Sequence, residues 1–98
     1  MKIAFFDTKE YDRKSFESYD GIDGMHFAFY ETKLNADTAN LAKDADAVCV
    51  FVNDSVDAEV IDKLHSFGVK LIALRCAGYN NVDIAHCFGK LHVFHVPA

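Results

Sequence analysis

Five short runs of apolar residues, each long enough for one β-strand, recur along the chain. They are rich in Val, Ile and Phe, and runs of four to six residues are typical of strands rather than helices. The third run, AVCVFV, is apolar throughout instead of alternating, which indicates a strand covered on both faces, as in a parallel sheet. The runs are Ile3–Phe6, Phe27–Tyr30, Ala47–Val52, Lys70–Leu74 and Val93–Val96.

The clearest helical pattern lies between the third and fourth runs. Over Asp57–Phe67, apolar residues recur at the spacing of one helix face. Asp54 and Ser55 are the candidate caps at its start, and Gly68 stands where a helix commonly ends. This segment predicts an amphipathic helix packed on the sheet.

Weaker helical patterns lie between the other runs. They are predicted over Lys9–Tyr19, with Thr8 as the candidate cap, over Asp37–Lys43, and over Asp83–Phe88, with Asp83 as the cap. Strands and helices therefore alternate along the chain. This alternation predicts a three-layer α/β fold, with a five-stranded parallel sheet and right-handed crossovers.

Length and charge limit the classes of protein that remain. The 98 residues suffice for one domain and no second. Ten basic residues against 15 acidic ones give a net charge of −5, which disfavours nucleic acid and anionic membranes as partners. No apolar run approaches the roughly 20 residues of a membrane span, and the N-terminus does not resemble a signal peptide. We therefore expect a cytoplasmic protein.

The cysteines and histidines indicate no metal centre. Cys49, Cys76 and Cys87 are odd in number and form no C-x-x-C pair, so neither a disulfide framework nor a zinc site is predicted. His92 and His95 lack a third ligand at suitable spacing. We expect no bound metal and three reduced thiols.

A segment that is a candidate for ligand binding follows the fourth run directly. Ligand sites in open α/β sheets lie beyond the carboxyl ends of the strands. Gly78 permits close approach to the backbone, and Asn80 and Asn81 tolerate left-handed conformations, so successive N–H groups there could bind an anion. The same residues are also consistent with a strand-to-helix turn that binds no ligand, with Asp83 as the cap of the helix.

The residues of this segment carry a resemblance to a known family. The string RCAGYNNVD at Arg75–Asp83 is preceded by FVND at Phe51–Asp54 and followed by HVPA at His95–Ala98, and the chain opens with MKIAFFDTKEYD. In this order the motifs resemble the NAD-dependent D-lactate dehydrogenases of the D-2-hydroxyacid dehydrogenase family. The resemblance covers essentially all 98 residues.

The resemblance implies a fold and a set of substrate-binding residues. The fold would be the flavodoxin-like substrate domain, with strand order 2-1-3-4-5. The loop after the fourth strand would offer backbone N–H groups to the substrate carboxylate. The positions that it assigns to substrate binding are Ala77, Gly78 and Tyr79 after the fourth strand, and Phe51, Val52 and Asn53 as cleft wall. Arg75 is a further candidate, which either reaches an anionic ligand or pairs with a nearby carboxylate and shapes the loop.

The resemblance also implies that part of the enzyme is missing. The family's catalytic arginine, glutamate and histidine lie beyond the Val-Pro-Ala motif, so no catalytic residue is assigned here. The 98 residues contain no G-x-G-x-x-G, which would cradle the phosphates of NAD. We expect residues 1–98 to be a truncated substrate domain that binds a small 2-hydroxy or 2-oxo acid weakly. NAD would serve only the full-length parent, and the fragment would be an inactive monomer unless uncovered surface drives self-association.

Two other classes of function remain open from the residues alone. Asp7 ends the first strand and Asp54 follows the third, roughly where a receiver domain holds Mg²⁺. A receiver would, however, need an adjacent acidic pair after the first strand and a lysine after the fifth, and neither is present. The second alternative is a truncated relative that serves only as a protein-interaction module.

Overall fold

The computed structural model describes residues 1–51, 54–75 and 82–95, without the side chain of His95. Within these residues the chain forms one parallel sheet of five strands in the order β2-β1-β3-β4-β5. The predicted α/β class and strand order are confirmed. The strands are β1 Lys2–Phe5, β2 His26–Phe29, β3 Ala47–Val50, β4 Leu71–Leu74 and β5 His92–His95.

The most apolar run forms the central strand. All four residues of β3 are buried, because β1 and β4 flank it and apolar layers cover both of its faces. Val48 and Val50 point into one layer and Cys49 into the other, as expected from the alternation of side chains along a strand. The strand ends at Val50, and the end of the predicted run, Val52, lies outside the described residues.

Helices pack on both faces of the sheet. The α-helices are α1 Glu10–Phe16, α2 Ala58–Ser66 and α3 Ile84–Cys87, and 3-10 turns span Glu17–Tyr19, Ile22–Gly24 and Ala39–Ala42. On one face, Phe16 of α1 packs against Phe5 with its ring tilted, the ring centroids being 5.0 Å apart. On the other face, α2 buries Val60, Ile61 and Leu64 against the larger apolar cluster. The predicted helix over Asp37–Lys43 is only the 3-10 turn at Ala39–Ala42.

The start of α2 differs from the prediction. Asp57, rather than Asp54 or Ser55, is the cap, because it directly precedes the first helical residue and accepts the N–H of Val60 at 3.0 Å. The carboxylate of Asp54 is committed elsewhere, as described below. The predicted end is confirmed, since Gly68 follows the helix with a φ of +88°.

The start of α1 also differs from the prediction. Thr8 does not cap the helix, because its hydroxyl donates back to the carbonyl of Phe5 at 2.8 Å. Lys9 takes the cap position, and its N–H donates to the carboxylate of Asp12 at 3.0 Å. The helix ends at Phe16 rather than Tyr19, where the chain continues as a 3-10 turn.

The start of α3 was predicted correctly. The carboxylate of Asp83 accepts the N–H of His86 at 3.2 Å, so Asp83 is the cap. None of the helices in the described residues is long and apolar enough to cross a membrane.

Candidate functional site

The carboxyl ends of β1, β3 and β4 lie side by side at one edge of the sheet. Parallel pairing places Phe5 beside Cys49 and Val50 beside Leu74. The residues that follow these strands therefore meet at the same edge, where open α/β sheets bind ligands. Arg75 follows β4 directly.

Two of the seven predicted substrate-binding residues belong to the described part of the chain. Phe51 is half-buried and Arg75 has a buried side chain. The other five lie outside the described residues and stay predictions; they are Val52, Asn53, Ala77, Gly78 and Tyr79.

The guanidinium of Arg75 is turned inward onto the end of β1. Its Nη1 donates to the carboxylate of Asp12 at 2.8 Å, and both side chains are almost fully buried, with exposed fractions of 7% and 11%. Its Nη2 donates to the carbonyl oxygen of Phe6 and, at 3.4 Å, to that of Asp7. The carboxylate pairing named as one alternative for Arg75 is therefore present. Such a pair persists in the interior because each charge is matched and hydrogen-bonded.

Two aromatic rings flank the same guanidinium. Its central carbon lies 4.2 Å from the centroid of the Phe5 ring and 5.1 Å from that of Phe51. Both distances are within the range of favourable cation–π contact. Arg75 thus contacts the end of β1 and the first residue after β3.

Asp12 is a site residue that sequence reasoning missed. Its position in the first turn of α1 indicates a local capping role, and it does accept the N–H of Lys9. The same oxygen also accepts from Arg75, which is 63 positions away in the chain. No local pattern signals a contact of that range.

Asp7 lies at the end of β1 in a backbone conformation that L-residues rarely adopt. Its φ is +49°, and its side chain is 2% exposed. Oδ1 pairs with Nζ of Lys9 at 3.0 Å, and this hydrogen bond and charge raise the pKa of Lys9 above its ordinary value. Among the described residues, Oδ2 of Asp7 is buried without a hydrogen-bond partner. Asp7 is thus held in place by tertiary contacts at a strained position.

Asp54 joins two segments near the same edge. Oδ1 accepts the N–H of Leu34 at 2.7 Å and Oδ2 accepts the N–H of Phe51 at 2.6 Å. Burial raises the pKa of the Asp54 carboxyl above its ordinary value, although the two N–H donors favour its charged form. Asp54 therefore fixes the backbone directly after β3.

A model of a known protein family matches nearly the whole sequence. The model of the D-isomer specific 2-hydroxyacid dehydrogenase catalytic domain covers residues 3–98. The chain belongs to this family. The resemblance inferred from the motifs is confirmed at this level.

Curated relatives of the dehydrogenase family are similar along most of the chain. A 2-hydroxyacid dehydrogenase homolog of Zymomonas mobilis is 50% identical over 84 residues, covering 86% of this chain and 25% of that protein. The D-lactate dehydrogenase of Escherichia coli is 44% identical over 100 residues, covering 100% of this chain and 30% of that protein. The chain thus spans about a quarter to a third of the length of these relatives.

Solved structures of dehydrogenases of this family share the fold. D-lactate dehydrogenase from Escherichia coli superposes with a TM-score of 0.92 at 42% identity, over 100% of this chain and 32% of that one. The enzyme from Salmonella has a TM-score of 0.89 at 43% identity, over 100% and 30%. The Lactobacillus jensenii enzyme, whose structure was solved with NAD⁺, has a TM-score of 0.86 at 30% identity, with coverage of 100% and 30%.

Membership of the dehydrogenase family argues against the receiver alternative, and so does the geometry. Both carboxylate oxygens of Asp54 accept backbone N–H groups, and the residue is 2% exposed. A receiver needs its acidic side chain open to a phosphodonor and Mg²⁺. Among the described residues, no group of three or more His, Cys, Asp or Glu could hold a metal ion.

Both described thiols lie in the interior of the protein. Cys49 is buried in the sheet, and burial raises the pKa of its thiol to about 12, although the nearby Arg75 favours the thiolate. Cys87 is also buried, and burial raises the pKa of its thiol. Both are free thiols, as predicted, and Cys76 lies outside the described residues.

Proposed function

We propose that the chain is the substrate-binding part of an NAD-dependent D-lactate dehydrogenase, which interconverts D-lactate and pyruvate by hydride transfer. The observation that carries this proposal is the likeness to D-lactate dehydrogenase of Escherichia coli over the entire chain. We propose further that residues 1–98 form a partial substrate domain and that the chain is a cytoplasmic monomer. Its partner would be a small 2-hydroxy or 2-oxo acid, with no nucleic acid and no membrane involved.

Within this proposal, backbone N–H groups of Ala77 and Gly78 bind the substrate carboxylate. Phe51, Val52 and Asn53 line the cleft, and Tyr79 borders it. The assignment is supported by the location of both segments, since each follows a strand that ends at the carboxyl edge of the sheet.

The sequence contains no G-x-G-x-x-G, and the described residues do not fit the phosphates of NAD. A dinucleotide cradle needs glycines in the turn that directly follows a strand and opens a helix. The described glycines lie in or after helical turns instead; they are Gly21, Gly24, Gly68 and Gly89. We therefore assign no step of the hydride transfer to this chain and propose that it is inactive by itself.

Carboxylate binding can be measured by an amide chemical-shift titration of the 98-residue chain with oxamate or pyruvate. Two hydrogen bonds to a charged group supply about 3–6 kcal/mol. Lost translational and rotational freedom costs at least about 4 kcal/mol. We therefore expect a dissociation constant of about 1 mM or weaker, with the shifts concentrated at Ala77, Gly78 and Tyr79.

Gly78→Val should abolish these shifts, because a branched side chain blocks the approach of the carboxylate. Leu41→Ala, at an exposed position outside both proposed segments, is the control and should leave them unchanged. Micromolar binding, or shifts clustered at Asp7 and Asp54, would contradict the proposal. A parallel assay with pyruvate and NADH should show no loss of NADH absorbance in the purified chain.

A further inference from the structure

We infer that Arg75 is a positioning residue: its guanidinium fixes the points where the two proposed substrate-binding segments begin, at Phe51 and at the end of β4, and does not bind the substrate itself. This inference rests on the proposed function, because it concerns the same edge of the sheet. It assigns the positive charge of Arg75 to the interior of the protein, whereas a cationic side chain beside an anion-binding segment would ordinarily be taken as a ligand.

The first observation is that the donors of Arg75 are engaged or buried. Nη1 is committed to Asp12, and Nη2 donates to the carbonyl oxygens of Phe6 and Asp7. The third nitrogen, Nε, has no hydrogen-bond partner among the described residues, but it is buried and so shielded from a ligand in solvent. The whole side chain is 7% exposed. A substrate carboxylate would have to displace Asp12 to reach this guanidinium.

The second observation is that Arg75 joins both proposed segments to the end of β1. Its backbone N–H donates to the carbonyl of Val50 at 2.9 Å, which ties the start of the segment after β4 to the end of β3. Its guanidinium contacts the ring of Phe51, the first proposed cleft-wall residue, and the ring of Phe5 on β1. One side chain therefore links the carboxyl ends of β1, β3 and β4.

The third observation is that Asp12 extends this link to a helix. The oxygen that accepts from Arg75 also accepts the N–H of Lys9 at the start of α1. The planar fork of arginine can serve Asp12 and the backbone directly after β1 at once, whereas lysine presents a single ammonium group. A side chain with one ammonium group could not donate to the Asp12 carboxylate and to the backbone carbonyls after β1 at the same time.

The positioning role and a direct ligand role predict opposite effects for the partner carboxylate. If Arg75 acts by position, Asp12→Asn loosens the guanidinium and weakens carboxylate binding. If Arg75 binds the substrate, the same substitution frees its charge, and binding stays equal or becomes tighter. Asp12 is buried under Arg75, so Asp12→Asn probes Arg75 while leaving that residue in the chain.

The test is the oxamate titration followed by amide chemical shifts in four proteins: the unmodified chain, Arg75→Lys, Asp12→Asn and the double variant. We expect each single variant to bind roughly three- to tenfold more weakly, because groups that were ordered in advance must now be ordered on binding. The double variant should bind no more weakly than the weaker single variant, since both remove the same link. If Arg75→Lys does not fold, the change in oxamate affinity of Asp12→Asn alone decides between the positioning role and the ligand role.

Two control variants separate positioning from a general loss of stability. Ile61→Val lowers the stability of the core, and Lys90→Met removes an ion pair between α2 and the turn after α3; both should leave oxamate binding unchanged. Equal or tighter binding by Asp12→Asn would overturn the inference, and so would unchanged binding in both single variants. If the unmodified chain itself gives no shifts, the proposed function fails first and this inference with it.

Discussion

At the scale of single residues, the acidic side chains near the carboxyl edge have different partners that the local sequence does not distinguish. An aspartate near a predicted helix start is expected to cap it, and Asp57 and Asp83 do so. Asp54, only three positions from Asp57, instead joins residues 34 and 51 through two backbone N–H groups. Asp12 combines a local bond to Lys9 with an ion pair to Arg75. Capping is a local property that sequence can predict, whereas the other contacts exist only once the strands are in order.

The buried carboxyl of Asp54 should make its own contribution to stability depend on pH. Its pKa in the folded chain is raised, mainly by burial, above the ordinary value of 3.8. A group with a raised folded pKa stabilises most below its unfolded pKa, and this contribution is lost as the pH rises through the folded pKa. The free energy of unfolding of the unmodified chain, relative to that of Asp54→Asn, should therefore decrease from about pH 4 toward neutral pH.

Urea unfolding of both proteins across this pH range measures that difference. Subtracting the free energy of unfolding of the Asn variant cancels the titration of the other carboxylates. The slope of the difference against pH therefore reports Asp54. A difference that increases with pH would show that the two N–H donors outweigh the effect of burial.

At the scale of elements, the runs of apolar residues predicted the strands well. The candidate caps predicted the ends of the helices less well. Every strand begins or ends within two residues of its predicted run among the described residues, because burial on both faces leaves a continuous apolar stretch. The helix ends depend on which side chain meets which backbone group. Thr8 has the right residue type for a cap, yet its hydroxyl bonds back to Phe5, and the N–H groups of residues 7 and 8 donate to carbonyls of the loop after β2.

A surface cluster that links α2 to α3 should respond to acid in the opposite sense to Asp54. His86 Nε2 and Lys90 Nζ lie 2.7 Å and 3.2 Å from the same oxygen of Asp62. These two contacts, that of His86 first, lower the pKa of the Asp62 carboxyl below 3.8. A lowered folded pKa contributes stability above the unfolded value that is lost as the pH falls through the folded value.

The thermal midpoint of Asp62→Asn, compared with that of the unmodified chain, tests this link. The unmodified chain should melt at the higher temperature near neutral pH, and the gap should close as the pH falls below about 4. Because Asp62 is exposed, the gap should be small. Glu59→Gln, on the same helix, is the control. A gap that persists in acid would show that the three side chains do not interact in solution.

At the scale of the whole molecule, the alternation of strands and helices predicted a parallel α/β sheet, and the resemblance to the dehydrogenase family implied its order 2-1-3-4-5, but neither predicted the junction that organises the candidate site. The observed order places the most apolar run in the centre of the sheet. The junction of Arg75, Asp12 and Phe51 joins parts of the chain that are far apart in sequence. Its parts carry ordinary residue types, so only the assembled sheet shows that they belong together.

The central strand offers the sharpest test of the fold as a whole. Val50 is fully buried at the end of β3, the central strand, with β1 and β4 on either side. Val50→Asp would place an unpaired charge in this core, at a cost of several kcal/mol. A domain of this size is stable by only about 5–15 kcal/mol, so we expect the variant not to fold. Leu41→Asp makes the same chemical change at a half-exposed position and should fold with a cooperative melt close to that of the unmodified chain. Circular dichroism melts of the two variants decide between them: a soluble Val50→Asp protein with an unchanged cooperative transition would mean that this strand does not lie at the centre of the sheet.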